Sequence, residues 1–285
     1  MSEVVYLNGS LIPRSKASIS ALDYGFLYGY GLFETMRAYG GQVFRLDRHL
    51  KRLAHSAEIL KLPVGTLDLK KAIIDTIQAN ELSDARIRVA ISMGEGEMVP
   101  NSTTCNKPTV LVMAGSYQPY PEQVYQKGFR VIVSSIRRNS GSPLSSLKSA
   151  NYLDSILARQ EARAAGANEA LCLNDKGFLA EASMSNIFMV TNGILRTPMQ
   201  ESGILPGITR ETILELAQPL GINTLEDNIS LNELSQAQEA FLTNSLMEIM
   251  PLTEIEDKPV GSGSPGTITQ TLMTAYRKLV MTSEQ

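Results

Sequence analysis

The segment Ser145-Ser-Leu-Lys148-Ser-Ala-Asn-Tyr152 sets a lysine just ahead of a long apolar-faced helix. A lysine with little access to water has a lowered pKa, which is what a Schiff-base nucleophile requires. A solvated lysine at a helix start is the ordinary alternative. In LPGITRETILELA, at 205–217, Gly207, Ile208 and Thr209 open a helix directly after Pro206. Backbone N–H groups without intrahelical partners and the positive end of the helix dipole meet there, a combination that suits a phosphate. An ordinary capped helix would read the same way. From Asp23 to Arg37, three glycines interleave with Tyr24, Phe26, Tyr28, Tyr30 and Phe33. Such a stretch lets backbone approach a ligand while aromatic rings wall a pocket, although it is not a GxGxxG turn after a strand.

The elements that must position these residues follow from periodicity and turn residues. VVYLNGSLIP reads as a hairpin turning at Asn8-Gly9. A second hairpin runs over 32–39 and 42–46, turning at Gly40-Gly41, and Asp47 is placed to N-cap a helix that carries Leu50, Leu53, Ala57 and Leu60 on one face. Asp68 to Asn80 reads as another helix, with strands at 86–93 and 109–114. The proline- and tyrosine-rich stretch GSYQPYPEQVYQKG has no apolar periodicity and reads as a connection between domains. Beyond it the spacing predicts a strand at 130–134 and a helix at 150–165 closed by Gly166. Strands follow at 169–173, 186–191 and 194–196, a helix at 209–220, strands at 240–243 and 248–252, and a helix at 268–280. The expected fold is α+β in two domains: an N-terminal α+β domain over 1–118, a connection over 119–130 and a C-terminal domain over 131–285, which carries the helix start suited to a phosphate.

Composition removes several function classes. A net charge of −3, from 26 basic and 29 acidic residues without runs of one sign, leaves no footprint for nucleic acid. No apolar stretch approaches the roughly 18 residues that cross a bilayer, and MSEVVYLNGSLIPR lacks the apolar core of a signal peptide. The expectation is a cytoplasmic protein with a small-molecule partner and no membrane partner. Cys105 and Cys172 are far apart, and His49 and His55 lack the spacing of a helical metal pair, so neither a disulfide framework nor a metal site is expected. Neither histidine sits in a recognisable hydrolase triad.

Taken in order, six segments resemble the class IV aminotransferases, the fold-type IV enzymes that use pyridoxal phosphate (PLP). They are YGxGxFExxR at 28–37, HLxRL at 49–53, LKSxNYL at 147–153, the run from Glu181 to Phe188, LPGITR at 205–210 and TNSLMEIMPL at 243–252. The resemblance spans nearly the whole chain. It implies a D-amino acid aminotransferase-like fold with the cofactor between the domains, and a homodimer. Lys148 is implied to form the Schiff base with PLP and to move the proton. Glu181 is implied to pair with the pyridine nitrogen, Arg52 to bind the phosphate with Ile208, Thr209 and Ser245, and Tyr152 to hydrogen-bond the phenolic oxygen. Substrate is expected against Tyr28, Phe33, Arg88 and Asn244.

Two positions lean toward one branch of the family. Thr35 stands where branched-chain aminotransferases usually carry glycine, and Asn244-Ser245-Leu246 stands where they usually read GTA. Both resemble 4-amino-4-deoxychorismate lyases of folate biosynthesis, which release 4-aminobenzoate and pyruvate, with Thr35 assisting proton transfer. The lyase is therefore the leading expectation. A branched-chain or D-amino acid aminotransferase is the alternative, since Arg88 in RIRV serves a carboxylate in either reaction, and a non-catalytic PLP-binding protein is the remote one.

Overall fold

The computed structural model describes residues 3–65, 67–105 and 107–282. The chain forms two compact units. The first takes the described residues up to Gln118 together with Leu147–Asn151, and the second takes Pro119–Ser146 and Tyr152–Thr282. Lys148 therefore belongs with the first sheet, whereas the sequence reading assigns it to the C-terminal domain. The reason lies in the backbone: Phe33 N–H donates to Lys148 O at 2.9 Å, Ala150 N–H donates to Gly31 O at 2.8 Å, and Leu32 bridges Ser149.

The first unit holds strands β1 (Val4–Leu7), β2 (Ser10–Pro13), β3 (Gly31–Tyr39), β4 (Gln42–Val43), β5 (Ala85–Ser92) and β6 (Thr109–Ser116). Its helices are α1 (Tyr24–Tyr28), α2 (Leu46–Ile59) and α3 (Leu69–Ala79). The six-stranded sheet runs β2-β1-β6-β5-β3-β4, and every pairing in it is antiparallel. β5 alternates strictly, with Ala85, Ile87, Val89 and Ile91 buried and Arg86 and Arg88 exposed, the signature of a sheet with one covered face. Leu53 and Ala57 of α2 and Ala72, Ile73 and Ile77 of α3 complete that core.

Asp47 does not cap α2 as the sequence reading expects. Phe44 N–H bonds back to Arg37 O, and the chain then reverses at a single left-handed residue, Arg45 (φ +54°), so the helix starts at Leu46 and Asp47 lies in its first turn. Asp68 does cap α3, accepting from Lys71 N–H.

The second unit holds α4 (Glu122–Lys127), β7 (Phe129–Arg138), α5 (Leu153–Ala164), β8 (Glu169–Asn174), β9 (Leu179–Ala182), β10 (Asn186–Thr191) and β11 (Ile194–Pro198). It continues with α6 (Ile208–Ala217), β12 (Thr224–Asp227), α7 (Leu231–Ser235), β13 (Glu239–Asn244), β14 (Glu248–Ile255), β15 (Lys258–Pro259) and α8 (Thr267–Thr282). The sheet order is β12-β11-β10-β13-β14-β7-β8-β9, with β15 on β14. β7 and β8 are parallel and joined through α5, and all six residues of β8 are buried, as a strand covered on both faces must be. Ala158 and Ala162 of α5 lie against Ala170 and Cys172, small residues that let helix and strand approach closely.

The stretch read as an interdomain connection contains α4. Tyr125 is buried in the second core, and its hydroxyl donates to Met247 O. With two apolar anchors, Val124 and Tyr125, in six residues, α4 is too short to show a helical period. Cys105 and Cys172 are both free thiols, and burial pushes Cys172 up to about 12. Among the described residues no helix is long and apolar enough to cross a membrane.

Asp23 ties the aromatic loop to the first sheet. Its buried carboxylate accepts Gly25 N–H at 2.7 Å, capping α1, and also accepts Ser92 Oγ at 2.9 Å and Thr109 Oγ1 at 2.6 Å. Asp23→Ala leaves three donors without their acceptor and should lower the unfolding free energy of this unit by about 3 kcal/mol in urea denaturation. A loss below about 1 kcal/mol would show that these bonds do not hold α1 in place.

Candidate active site

Alternation along β3 sorts its side chains onto two faces. Phe33 and Thr35 share one face, and Thr35 pairs directly with Arg88 of β5. The Arg88 guanidinium carbon lies 3.9 Å from the centroid of the Phe33 ring, and Lys148 Nζ lies 4.6 Å from it. Two cations thus lean on one aromatic ring, a favourable contact for each. Lys148 is half-buried, and the buried Leu147 beside it anchors this segment in the first core. Asn151 Nδ2 donates to Gly29 O, and Gly29, at φ +65°, closes α1 in the left-handed conformation that glycine adopts without cost.

The opposite face of β3 carries Glu34, wholly buried. One carboxylate oxygen accepts Arg52 Nε at 2.8 Å, and the other accepts Arg52 Nη2 at 2.7 Å and faces His49 Nδ1 at 2.7 Å. Burial alone would raise the pKa of Glu34, but the Arg52 charge and the bonds from His49 and Arg52 outweigh it and hold the carboxyl at about 2. Burial lowers His49 against the opposing pull of Glu34, so the imidazole is neutral and its Nδ1–H donates to the carboxylate. Glu34 and His49 lie inside YGxGxFExxR and HLxRL, yet the sequence reading gives neither a role. The available signal is that His49 and Arg52 stand three apart on one helix, hence on one face, while Glu34 must point away from Phe33 and Thr35.

In the second unit the central carboxylate is Glu181. Arg138 Nη2 lies 3.1 Å from one of its oxygens, and the other accepts Asn186 Nδ2 at 3.0 Å and Leu205 N–H at 3.1 Å. Asn186 Nδ2 also donates to Leu205 O, so both polar groups of residue 205 are fixed just ahead of α6. Gly207 is the N-cap of α6, and a Cβ there would fall 2.0 Å from Asn186 Oδ1, which explains the glycine. Ile208 and Thr209 form the first turn, both buried, and no side chain caps the helix. Arg138 lies outside every quoted motif, and Asn186, inside the run from Glu181 to Phe188, is given no role by the sequence reading, because each acts through a neighbour.

Ser245 lies in the turn between β13 and β14, which Asn244 shapes. Asn244 Oδ1 accepts Leu246 N–H at 3.0 Å and Met247 N–H at 2.9 Å, and its Nδ2 donates to Met184 O at 3.2 Å. Tyr152 is the N-cap residue of α5 and is half-buried. Tyr28 lies at the end of α1, where its hydroxyl donates to Met98 O and its ring meets Tyr24 edge-on at 5.0 Å.

Each unit, taken by itself, carries groups of the kind a phosphorylated pyridine aldehyde would use. The first unit supplies an amine at Lys148 and a preset guanidinium at Arg52. The second supplies a fixed carboxylate at Glu181 and a helix N-terminus at Ile208-Thr209. Ser185 Oγ and Thr243 Oγ1 are buried there without a hydrogen-bond partner among the described residues, as polar groups meant for a ligand would be.

Comparison with known proteins agrees. Residues 31–255 match the family described as amino-transferase class IV. A Methanocaldococcus jannaschii protein provisionally named branched-chain-amino-acid aminotransferase is 38% identical over 278 residues, 96% of each chain. The Bacillus subtilis aminodeoxychorismate lyase is 35% identical over 279 residues, 96% of this chain and 94% of its own. The solved structure of the Thermoproteus uzoniensis branched-chain aminotransferase with norvaline superposes with a TM-score of 0.92 at 36% identity, covering 100% of this chain and 97% of that one. Another solved branched-chain amino acid aminotransferase of the same fold carries pyridoxamine 5'-phosphate. With the fold-type IV architecture and its PLP chemistry both in hand, the chain belongs to the class IV aminotransferases as a PLP-dependent enzyme.

Proposed function

We propose that this enzyme transaminates branched-chain amino acids, with PLP attached to Nζ of Lys148. The sequence reading puts the lyase first, on Thr35 and Asn244. The order reverses because Asn244 no longer speaks for the lyase: its three hydrogen bonds are spent on shaping the 244–247 turn, whatever the reaction. The whole-chain likeness to proteins named for branched-chain amino acids supports the same order. Thr35 keeps the lyase as the second reading, since its half-buried hydroxyl stands opposite Arg88.

When bound, PLP supplies an electron sink for the pair left behind as the substrate's α-proton departs. The chain's own residues do the rest. Lys148 would take that proton and deliver it. Glu181, kept in place by Arg138 and Asn186, faces the pyridine nitrogen and keeps it protonated. Arg52, the amides of Ile208 and Thr209 and the Ser245 hydroxyl meet the phosphate, and Tyr152 donates to the phenolic oxygen. Arg88 meets the substrate carboxylate, with Phe33 and Tyr28 against its apolar branches.

The protein works in this reading as a cytoplasmic homodimer. Phe26, Met98 and Val99, in and beside α1, are 77%, 78% and 71% exposed, an apolar surface that a second copy would cover.

Three measurements test these assignments. Borohydride should fix PLP to the chain at Lys148, and Lys148→Ala should lose both fixation and turnover; an adduct mapped to another lysine would refute the assignment. With L-leucine and 2-oxoglutarate the enzyme should exchange amino groups and pass through its pyridoxamine phosphate form, whereas 4-amino-4-deoxychorismate should be inert. Equal release of 4-aminobenzoate and pyruvate without a keto acid would install the lyase instead, and turnover of D-alanine alone would install the D-amino acid enzyme. Sedimentation should give a two-chain species that Met98→Lys with Val99→Lys dissociates; an undissociated dimer would move the interface elsewhere.

A further inference from the structure

The polar triad of Glu34, His49 and Arg52 stands where the fold needs only apolar contact. Its neighbours on β3 and α2, Leu32, Met36, Leu53 and Ala57, are buried and apolar. A wholly buried carboxylate is retained at a desolvation cost that apolar replacement would avoid, so this one has a duty beyond packing. Its geometry states the duty. Both oxygens of Glu34 engage one edge of the Arg52 guanidinium, through Nε and Nη2, and the neutral His49 pins the same carboxylate from the side. A fork held in this way has a fixed plane and a fixed rotamer before any ligand arrives.

We propose that Glu34 and His49 are positioning residues that pre-orient Arg52 for the phosphate of the cofactor. This rests on the reading of Arg52 as a phosphate ligand and goes one step behind it. The proposal runs against the simple electrostatic expectation. Glu34 offsets part of the Arg52 charge, so if charge alone governed phosphate affinity, removing Glu34 would tighten binding. If orientation governs it, removing Glu34 weakens binding, because the guanidinium must then be ordered on contact with the ligand.

The experiment compares the affinities of the full chain for PLP and for pyridoxal, which lacks the phosphate. Arg52→Ala should weaken PLP binding and leave pyridoxal binding nearly unchanged; an unmoved PLP-to-pyridoxal ratio in this variant would refute the underlying reading of Arg52. Glu34→Gln should reduce the same ratio by about tenfold, the scale of one lost charge-assisted bond. It should have no further effect in the Arg52→Ala background, since a positioning residue acts only through what it positions. A ratio that stays constant or rises in Glu34→Gln, while Arg52→Ala lowers it, would overturn the proposal and leave Arg52 standing. Circular dichroism checks that each variant folds. Should Glu34→Gln fail to fold, His49→Gln decides alone: it keeps the Glu34–Arg52 pair, so the ratio should fall by a smaller factor of roughly threefold, and no fall would overturn the proposal.

Discussion

The second unit depends on keeping one carboxylate, Glu181, charged and still while almost wholly out of water. An unpaired buried charge costs several kcal/mol, and a pair is tolerable only when its remaining hydrogen-bonding capacity is also met. Arg138 answers the charge, and Asn186 and Leu205 N–H occupy the other oxygen. The same guanidinium donates to Ser145 O at 2.9 Å and to Gly203 O at 2.8 Å. Three stretches, around residues 145, 181 and 203, are thereby referred to one planar group at the end of β7. Loops need such an anchor because they have no ladder of their own.

The first unit meets its constraint by partition. A strand has two faces, and β3 uses them for different work. Phe33 and Thr35 stand beside Lys148 and Arg88, while Glu34 and Met36 face α2. The partition holds because a slip of one residue would exchange the faces completely. The β3–β5 ladder runs unbroken from Gly31↔Ser92 to Ala38↔Ala85, which fixes that register, and Lys148 is hung on the start of the same strand by backbone bonds. Lys148, the lysine proposed to hold the cofactor, thus takes its position from a sheet, although it lies in a loop of the sequence.

Much of this was legible in the residues. The long strands and the helices with a clear apolar face were readable because their periods are sustained: β5, β6, β10, α3 and α8 lie within a few residues of their expected spans. Short elements were readable only where a turn marks them, as Asn8-Gly9 does for β1 and β2. α4 and β9 carry too few residues for a period, and α7 is marked only by its capping box, in which Ser230 and Glu233 bond reciprocally. The site divides likewise. The residues proposed to meet a ligand drew their roles from motifs, while Arg138, Asn186, Glu34 and His49, which act on other side chains, drew none. Their importance is a matter of distance in space, which a linear reading registers only when two such residues share a helix face, as His49 and Arg52 do.

Asn244 shows how a residue that distinguishes two branches of a family can be structural in its action. A glycine at that position could not accept the N–H groups of residues 246 and 247 or donate to residue 184, so the turn carrying Ser245 would be held by backbone alone. With asparagine, the turn is closed by its own side chain and fastened to the segment between β9 and β10. That segment has a second fastening, because Ser183 Oγ donates to the buried Glu169, whose pKa burial raises, and Arg159 approaches the same carboxylate at 3.4 Å. The turn is therefore stiff, and stiffness serves either reaction: a transaminase must hold one phosphate through two half-reactions, and a lyase through one elimination. The side chain at 244 selects the shape of the turn, and in the proposed reading the choice of substrate falls to other groups, Arg88 and Phe33 among them.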